Sequence, residues 1–200
     1  LTWSAPVNIL VTNDDGIDAP GLHTLAAAMR ELGNVTVLAP ERDWSVSGHT
    51  KTLNRPLRVR KLTLSDGTPG LTTDGSPSDC VALAFMGLVE EKIDLVLSGI
   101  NPLHNLGHDV TYSGTVTAAM EATIWHTPGI AISTTFCDEV GYEPTAKIAA
   151  CIARKVLEHG LPRFTLLNVN MPAVPLEQVR GLKVTRQGMR VYHDELVKRM

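Results

Sequence analysis

Along the first 170 residues, short apolar runs alternate strictly with longer segments of helical periodicity, and few architectures accept that pattern. Val7–Thr12 (VNILVT) reads as a strand. Pro20–Leu32 follows as a helix, with Leu22, Leu25, Ala26, Met29 and Leu32 on one face and Gly33-Asn34 as its stop. Val35–Ala39 is a second strand. Ser76 opens the next helix as N-cap, with Pro77 in the first position and Asp79 in the third. The spacing then predicts a strand at Leu95–Ser98, a helix at Thr115–Trp125, a strand at Gly129–Ser133, a helix at Thr145–His159 and a strand at Phe164–Val169. Strand and helix in turn, with continuously apolar strands, imply βαβ units and a parallel sheet buried on both faces. Two excursions break the rhythm. Lys51–Thr73 alternates Leu57, Val59 and Leu62 with Arg58, Arg60 and Lys61, as a partly exposed hairpin would. Lys183–Met200 starts strand-like (LKVT), is charged, and has no core of its own. At 200 residues the whole reads as one domain.

Composition excludes several functions. Eighteen basic residues against twenty-one acidic ones give a net charge of −3, which argues against a duplex nucleic-acid or anionic-membrane partner. Aromatics at 4% argue against a base-stacking platform. No apolar run approaches the ~20 residues of a membrane span, and LTWSAPVN carries no basic leader. Cys80, Cys137 and Cys151 are odd in number and far apart, so they read as reduced thiols of a cytoplasmic protein.

In an open parallel sheet, ligands bind beyond the carboxyl ends of the strands. The first strand runs into Asn13-Asp14-Asp15-Gly16, the second into a loop holding Ser45, and the Leu95 strand into Gly99-Ile100-Asn101. Adjacent carboxylates repel unless a cation separates them. Asp14 and Asp15 therefore suit Mg²⁺, Mn²⁺ or Ca²⁺, with Ser45 and Asn101 as neutral oxygens; an ordinary turn accounts for the same residues. Ser113-Gly114-Thr115 leads into a helix whose N-terminus would favour a phosphate, and plain N-capping fits equally well. On the phosphate reading, the Thr115 hydroxyl touches phosphate and not the cation. A metal pair and an anion cradle on one edge make a phosphoryl site. His104 and His108 are four apart, but Pro102 and Gly107 make a helix improbable, so they read as solvent-facing loop residues. There is no P-loop, no GxGxxG after a strand and no GxSxG elbow.

Four blocks together resemble the stationary-phase survival protein SurE family: ILVTNDDGIDAPGL, VLAPERDWS, TDGSPSDCV, and LVLSGIN followed by NLGHDVTYSGTVTAAMEA. The resemblance implies a Rossmann-like three-layer α/β fold with a mostly parallel sheet, a protruding β-hairpin and a C-terminal oligomerisation segment. It implies a metal-dependent phosphomonoesterase acting on nucleoside 5′-monophosphates, with 3′-monophosphates and polyphosphate as further candidate substrates. Asp14 and Asp15 would be catalytic. One Mg²⁺ or Mn²⁺ would be held by Asp14, Asp15, Ser45 and Asn101, and phosphate by Asn105, Ser113, Gly114 and Thr115. The family continues with segments that build a homodimer or homotetramer, so residues 183–200 read as the start of such an extension. Leu103 stands where the family pattern has glycine, a change expected to alter the loop between Asn101 and Asn105. The rival reading is a non-catalytic nucleotide- or phosphate-binding module on the same edge.

Overall fold

The computed structural model describes residues 6–192 and 196–197. Seven strands form one sheet: β1 (Asn8–Thr12), β2 (Asn34–Pro40), β3 (Val59–Thr63), β4 (Pro69–Thr73), β5 (Leu95–Asn101), β6 (Gly129–Thr134) and β7 (Leu166–Met171). Their order across the sheet is β3-β4-β2-β1-β5-β6-β7. All neighbours run parallel except β3, which lies antiparallel to β4 at one edge.

Alternation along the strands sorts the core into two layers. Ile9 and Val11 of β1, with Val37, Leu95, Leu97, Ile130 and Ile132, face α1 (Pro20–Met29) and α4 (Glu143–His159). Leu10, Leu38 and Val96 point the other way, onto α2 (Pro77–Leu83) and α3 (Gly114–Ile124). A sheet covered on both faces by helices is the three-layer arrangement the apolar strands demand. The N-terminus of α2 carries the expected capping box: Asp79 N–H donates to Ser76 Oγ at 3.1 Å and Ser76 N–H to Asp79 Oδ2 at 2.9 Å.

The hairpin differs from the expectation in one respect. It does not stand off the body, because β4 pairs with β2 and extends the main sheet. Leu62 accordingly packs against the α1 side of the core. The strand expected at LKVT is absent: residues 179–192 carry no regular secondary structure. Gln187 Nε2 donates to Gly107 O at 2.8 Å, and Arg190 and Tyr192 both bond Asp109, so the segment is tied to the loop before α3. His193–Glu195 and Lys198–Met200, part of the expected extension, lie outside the described residues.

The chain passes from β1 to β2 on one side of β1, and later returns to place β5 on the other. That reversal opens a crevice at the carboxyl ends of β1 and β5, the preferred ligand position in such sheets. Asp14 and Asp15 follow β1, and Asn101 ends β5.

Candidate active site

The turn after β1 is held by its own backbone. Asn13 Nδ2 donates to Gly16 O at 2.9 Å, Ile17 N–H to Pro40 O at 2.8 Å, and Trp44 N–H to Asp14 O at 2.7 Å. Gly16 sits at φ +103°, a conformation that side chains rarely adopt. These contacts fix the turn that carries the two carboxylates, and Asp14 lies against the N-terminus of α3. Asp14 is buried, and its Oδ1 accepts a hydrogen bond from the Thr115 hydroxyl at 2.5 Å. The Thr115 N–H also donates to it. A Cβ on Gly114 would lie 2.7 Å from Asp14 Cβ and 2.9 Å from Asp14 Oδ2, so only glycine lets the helix approach this closely.

Electrostatics set the pair apart from ordinary surface carboxylates. Burial pushes the Asp14 carboxyl above the usual range, against the opposing effect of the Thr115 hydrogen bonds. Asp15 is pushed up to about 7 by burial and then by the charges of Asp14 and Asp43. Asp15 Oδ2 and Asn13 Oδ1 are buried without hydrogen-bond partners, and such orphaned acceptors are costly to leave unmet. Among the described residues, no cluster of three or more His, Cys, Asp or Glu side chains could hold a metal ion. The donor chemistry here is two carboxylates plus neutral oxygens, which fits a hard divalent cation.

The structure distributes the expected site residues unevenly. Asp14, Gly114 and Thr115 are in mutual contact. Ser113 is buried and caps α3, its Oγ accepting from Val116 N–H at 3.1 Å. Ser45 is exposed, and its hydroxyl donates to Asp43 Oδ1 at 2.6 Å. Asn101 Nδ2 donates to Leu103 O, leaving its Oδ1 as the available oxygen. Leu103 keeps a negative φ and stands 68% exposed, so glycine's freedom is not needed there. Asn105 is buried, its Nδ2 donating to Ser133 Oγ at 2.9 Å.

One expectation is corrected. The Thr115 hydroxyl does not point at an anion; it is spent on Asp14, which ties the helix end to the acidic pair. His104 is half-buried, its Nε2 2.8 Å from Met171 O, while His108 is exposed as expected.

Sequence reasoning also missed supporting residues. Asn168 and Asn170 on β7 pin the Asn105 loop: Asn105 N–H donates to Asn170 Oδ1 at 2.8 Å and Asn168 Nδ2 to Asn105 O at 2.9 Å. An NVN pair at the end of the edge strand β7 is a usable signal, since alternate asparagines there face one side of the sheet. Glu121 on α3 is 4% exposed and accepts from His49 Nε2 at 2.9 Å, Lys51 Nζ at 2.9 Å and Trp125 Nε1 at 3.0 Å. Burial pushes its carboxyl up, but those three donors together hold it below the usual range.

The raised Asp15 carboxyl has a measurable consequence. Its ordinary value is 3.8 and its folded value about 7, so the folded metal-free protein binds more protons than the unfolded chain between these limits. Its contribution to stability is full below about pH 4 and is lost as pH rises through about 7. In EDTA, Tm should fall across this window. Added Mg²⁺ or Mn²⁺ should raise Tm more at the upper end than at the lower, because the cation displaces the proton. A pH-independent metal shift would contradict the assignment.

Fold and site together define a class of α/β protein in which a carboxylate pair and a helix N-terminus share one crevice at the switch point of a parallel sheet. The family model described as "Survival protein SurE" matches residues 9–194. The chain belongs to the SurE family. It is 51% identical over 193 residues to a protein of Chloroflexus aggregans named 5′-nucleotidase SurE, covering 96% of this chain and 76% of that one. A protein of the same name from Herpetosiphon aurantiacus is 50% identical over 200 residues, covering 97% and 77%. The crystal structure of the SurE protein from Aquifex aeolicus superposes with a TM-score of 0.84 at 45% identity, covering 93% of this chain and 74% of that chain.

Proposed function

We propose that this chain is a divalent-cation-dependent phosphomonoesterase that hydrolyses nucleoside 5′-monophosphates to nucleoside and phosphate. The observation that carries the reading is the contact between the buried Asp14 carboxylate and the first turn of α3. That contact sets a cation-attracting group beside an anion-attracting helix end. The relatives' name, 5′-nucleotidase SurE, supports the same substrate class.

Asp14 and Asp15 would hold one Mg²⁺ or Mn²⁺, with Ser45 Oγ and Asn101 Oδ1 completing the set. When bound, the cation supplies Lewis-acid polarisation of a phosphoryl oxygen. The remaining work belongs to this chain. Of the first-turn N–H groups of α3, that of Val116 goes to Ser113 Oγ and that of Thr115 to Asp14, which leaves Gly114 as the backbone donor to phosphate. Asn105 and the Ser113 hydroxyl flank the same group. Thr115 holds Asp14 by its Oδ1, so Oδ2 is the oxygen that accepts a proton from the attacking water. Water adds to phosphorus, the ester P–O bond breaks, and the leaving oxygen takes up the proton that Asp14 accepted, so the nucleoside leaves as an alcohol. Most of the acceleration is positioning and electrostatics.

A panel of 5′- and 3′-monophosphates and polyphosphate, each with Mg²⁺, Mn²⁺ or EDTA, tests the substrate class. Metal-dependent release from 5′-monophosphates is expected. Tight nucleotide binding without release in any arm would instead support the non-catalytic binding module.

The same reading includes a homodimer or homotetramer in the cytoplasm. Among the described residues no helix is long and apolar enough to cross a membrane, and the three cysteines are free. Leu182, Val184 and Met189 are 68%, 99% and 83% exposed on the irregular segment after β7, and apolar side chains so placed are suited to burial against a second copy. The hairpin is the weaker contact element, since Leu62 is already packed. Light scattering at micromolar concentration should give at least a dimer; a monomer would contradict this.

A further inference from the structure

We propose that Ser47 is a further phosphoryl-binding residue, its hydroxyl donating to the substrate phosphate beside the first residue of α3. The inference deepens the phosphomonoesterase reading and rests on it.

Ser47 Oγ is buried and has no hydrogen-bond partner. Buried hydroxyls without partners are uncommon in native proteins, and their usual explanation is a missing ligand or water. Its position narrows the choice. A Cβ built on Gly114 would lie 2.9 Å from Asp14 Oδ2 and 3.1 Å from Ser47 Oγ. Both oxygens therefore stand beside the first residue of α3, packed too closely for a side chain there, and an anion drawn to the helix end would meet the Ser47 hydroxyl at that end. Ser47 supplies a donor there, and Asp14 the carboxylate.

The orphaned hydroxyl is not an accident of a loose loop, because the segment is tied to the turn after β1 before Ser47 and to α3 after it. Ser47 N–H donates to Trp44 O at 3.2 Å, and Trp44 N–H to Asp14 O at 2.7 Å. Beyond it, Gly48 N–H donates to Tyr112 O at 2.8 Å, and the Thr117 hydroxyl to Gly48 O at 3.0 Å. His49 and Lys51 then close on Glu121, 2.9 Å each. Thr52 N–H adds a bond to Asp79 Oδ1 at 3.0 Å. A hydroxyl held by so many contacts, none of them its own, is preorganised for an outside acceptor.

The test is Ser47→Ala, read in two ways that do not depend on each other. In metal-loaded protein, KM for a nucleoside 5′-monophosphate should rise and inhibition by inorganic phosphate should weaken, each by at least about tenfold, the effect of one lost hydrogen bond to an anion. Tm without phosphate should not fall, because the hydroxyl bonds nothing in the protein, and the rise in Tm that inorganic phosphate gives wild type should shrink. If the wild type responds to phosphate and Ser47→Ala responds equally, the Ser47 assignment is overturned while the phosphomonoesterase reading stands. A lower Tm with unchanged KM would overturn it in favour of a packing role. If wild type neither hydrolyses the nucleotide nor responds to phosphate, both readings fall.

Discussion

Asp14→Ala is expected to cut phosphate release by on the order of 10³-fold or more, while the protein stays folded. Several kcal/mol of transition-state stabilisation come from a cation held by such carboxylates, and each 1.36 kcal/mol is about a factor of ten. The fold should survive, because the side chain sits at the end of β1 and outside the apolar clusters. Removing it also relieves repulsion from Asp15, whose carboxyl is pushed up in part by the Asp14 charge. In EDTA the variant's Tm should therefore equal or exceed that of wild type, and added Mn²⁺ should no longer raise it. Thr115→Ala should show a weaker form of the same defect, in metal affinity as well as turnover, because its hydroxyl is bonded to Asp14. Wild-type turnover by Asp14→Ala at limiting metal would refute the metal assignment.

Gly114→Val carries the second large effect. The added Cβ would come within 2.7 Å of Asp14 Cβ and 2.9 Å of its Oδ2. Neither neighbour can move cheaply, since Asp14 is buried and held by Thr115 and Trp44. Overpacking of this kind costs about 1–3 kcal/mol, and a helix end pushed off the carboxylate loses the shared geometry of cation and anion sites. Near-complete loss of turnover, with Tm lowered and inorganic phosphate no longer competing, is the expected pattern. The physical cause differs from simple crowding of the phosphate: the valine first displaces the carboxylate. A variant with intact Tm and intact phosphate inhibition would show that the helix and Asp14 are not coupled in this way.

The strands were legible because parallel strands buried on both faces must be largely apolar, and VNILVT and LVLS are. Helix starts were legible where capping is local, as at Ser76–Asp79 and Ser113. Long-range pairings were not. β4 joins β2 through a register of Leu38 with Leu71, and nothing in either segment announces the other. β5 runs on to Asn101, past the expected stop at Ser98, because the Gly99 break in its apolar pattern does not end the pairing with β6. In the site, Asp14, Asp15 and the Ser113–Thr115 turn stood out by residue type and position beyond a strand. The role of Thr115 did not, since its partner lies 101 residues away. Nothing local sets Glu121 apart from other helix charges, and only burial reveals that it holds His49 and Lys51.

The central claim is that Asp14 and Asp15 hold a divalent cation which this fold uses to hydrolyse a nucleoside monophosphate. Its most direct test is phosphate release from a nucleoside 5′-monophosphate by protein stripped with EDTA, then titrated with Mn²⁺ or Mg²⁺, alongside Asp15→Asn. The account predicts no release in EDTA, saturable recovery with metal in the wild type, and no recovery in Asp15→Asn. Release that persists in EDTA, or full recovery in Asp15→Asn at the same metal concentration, would contradict it.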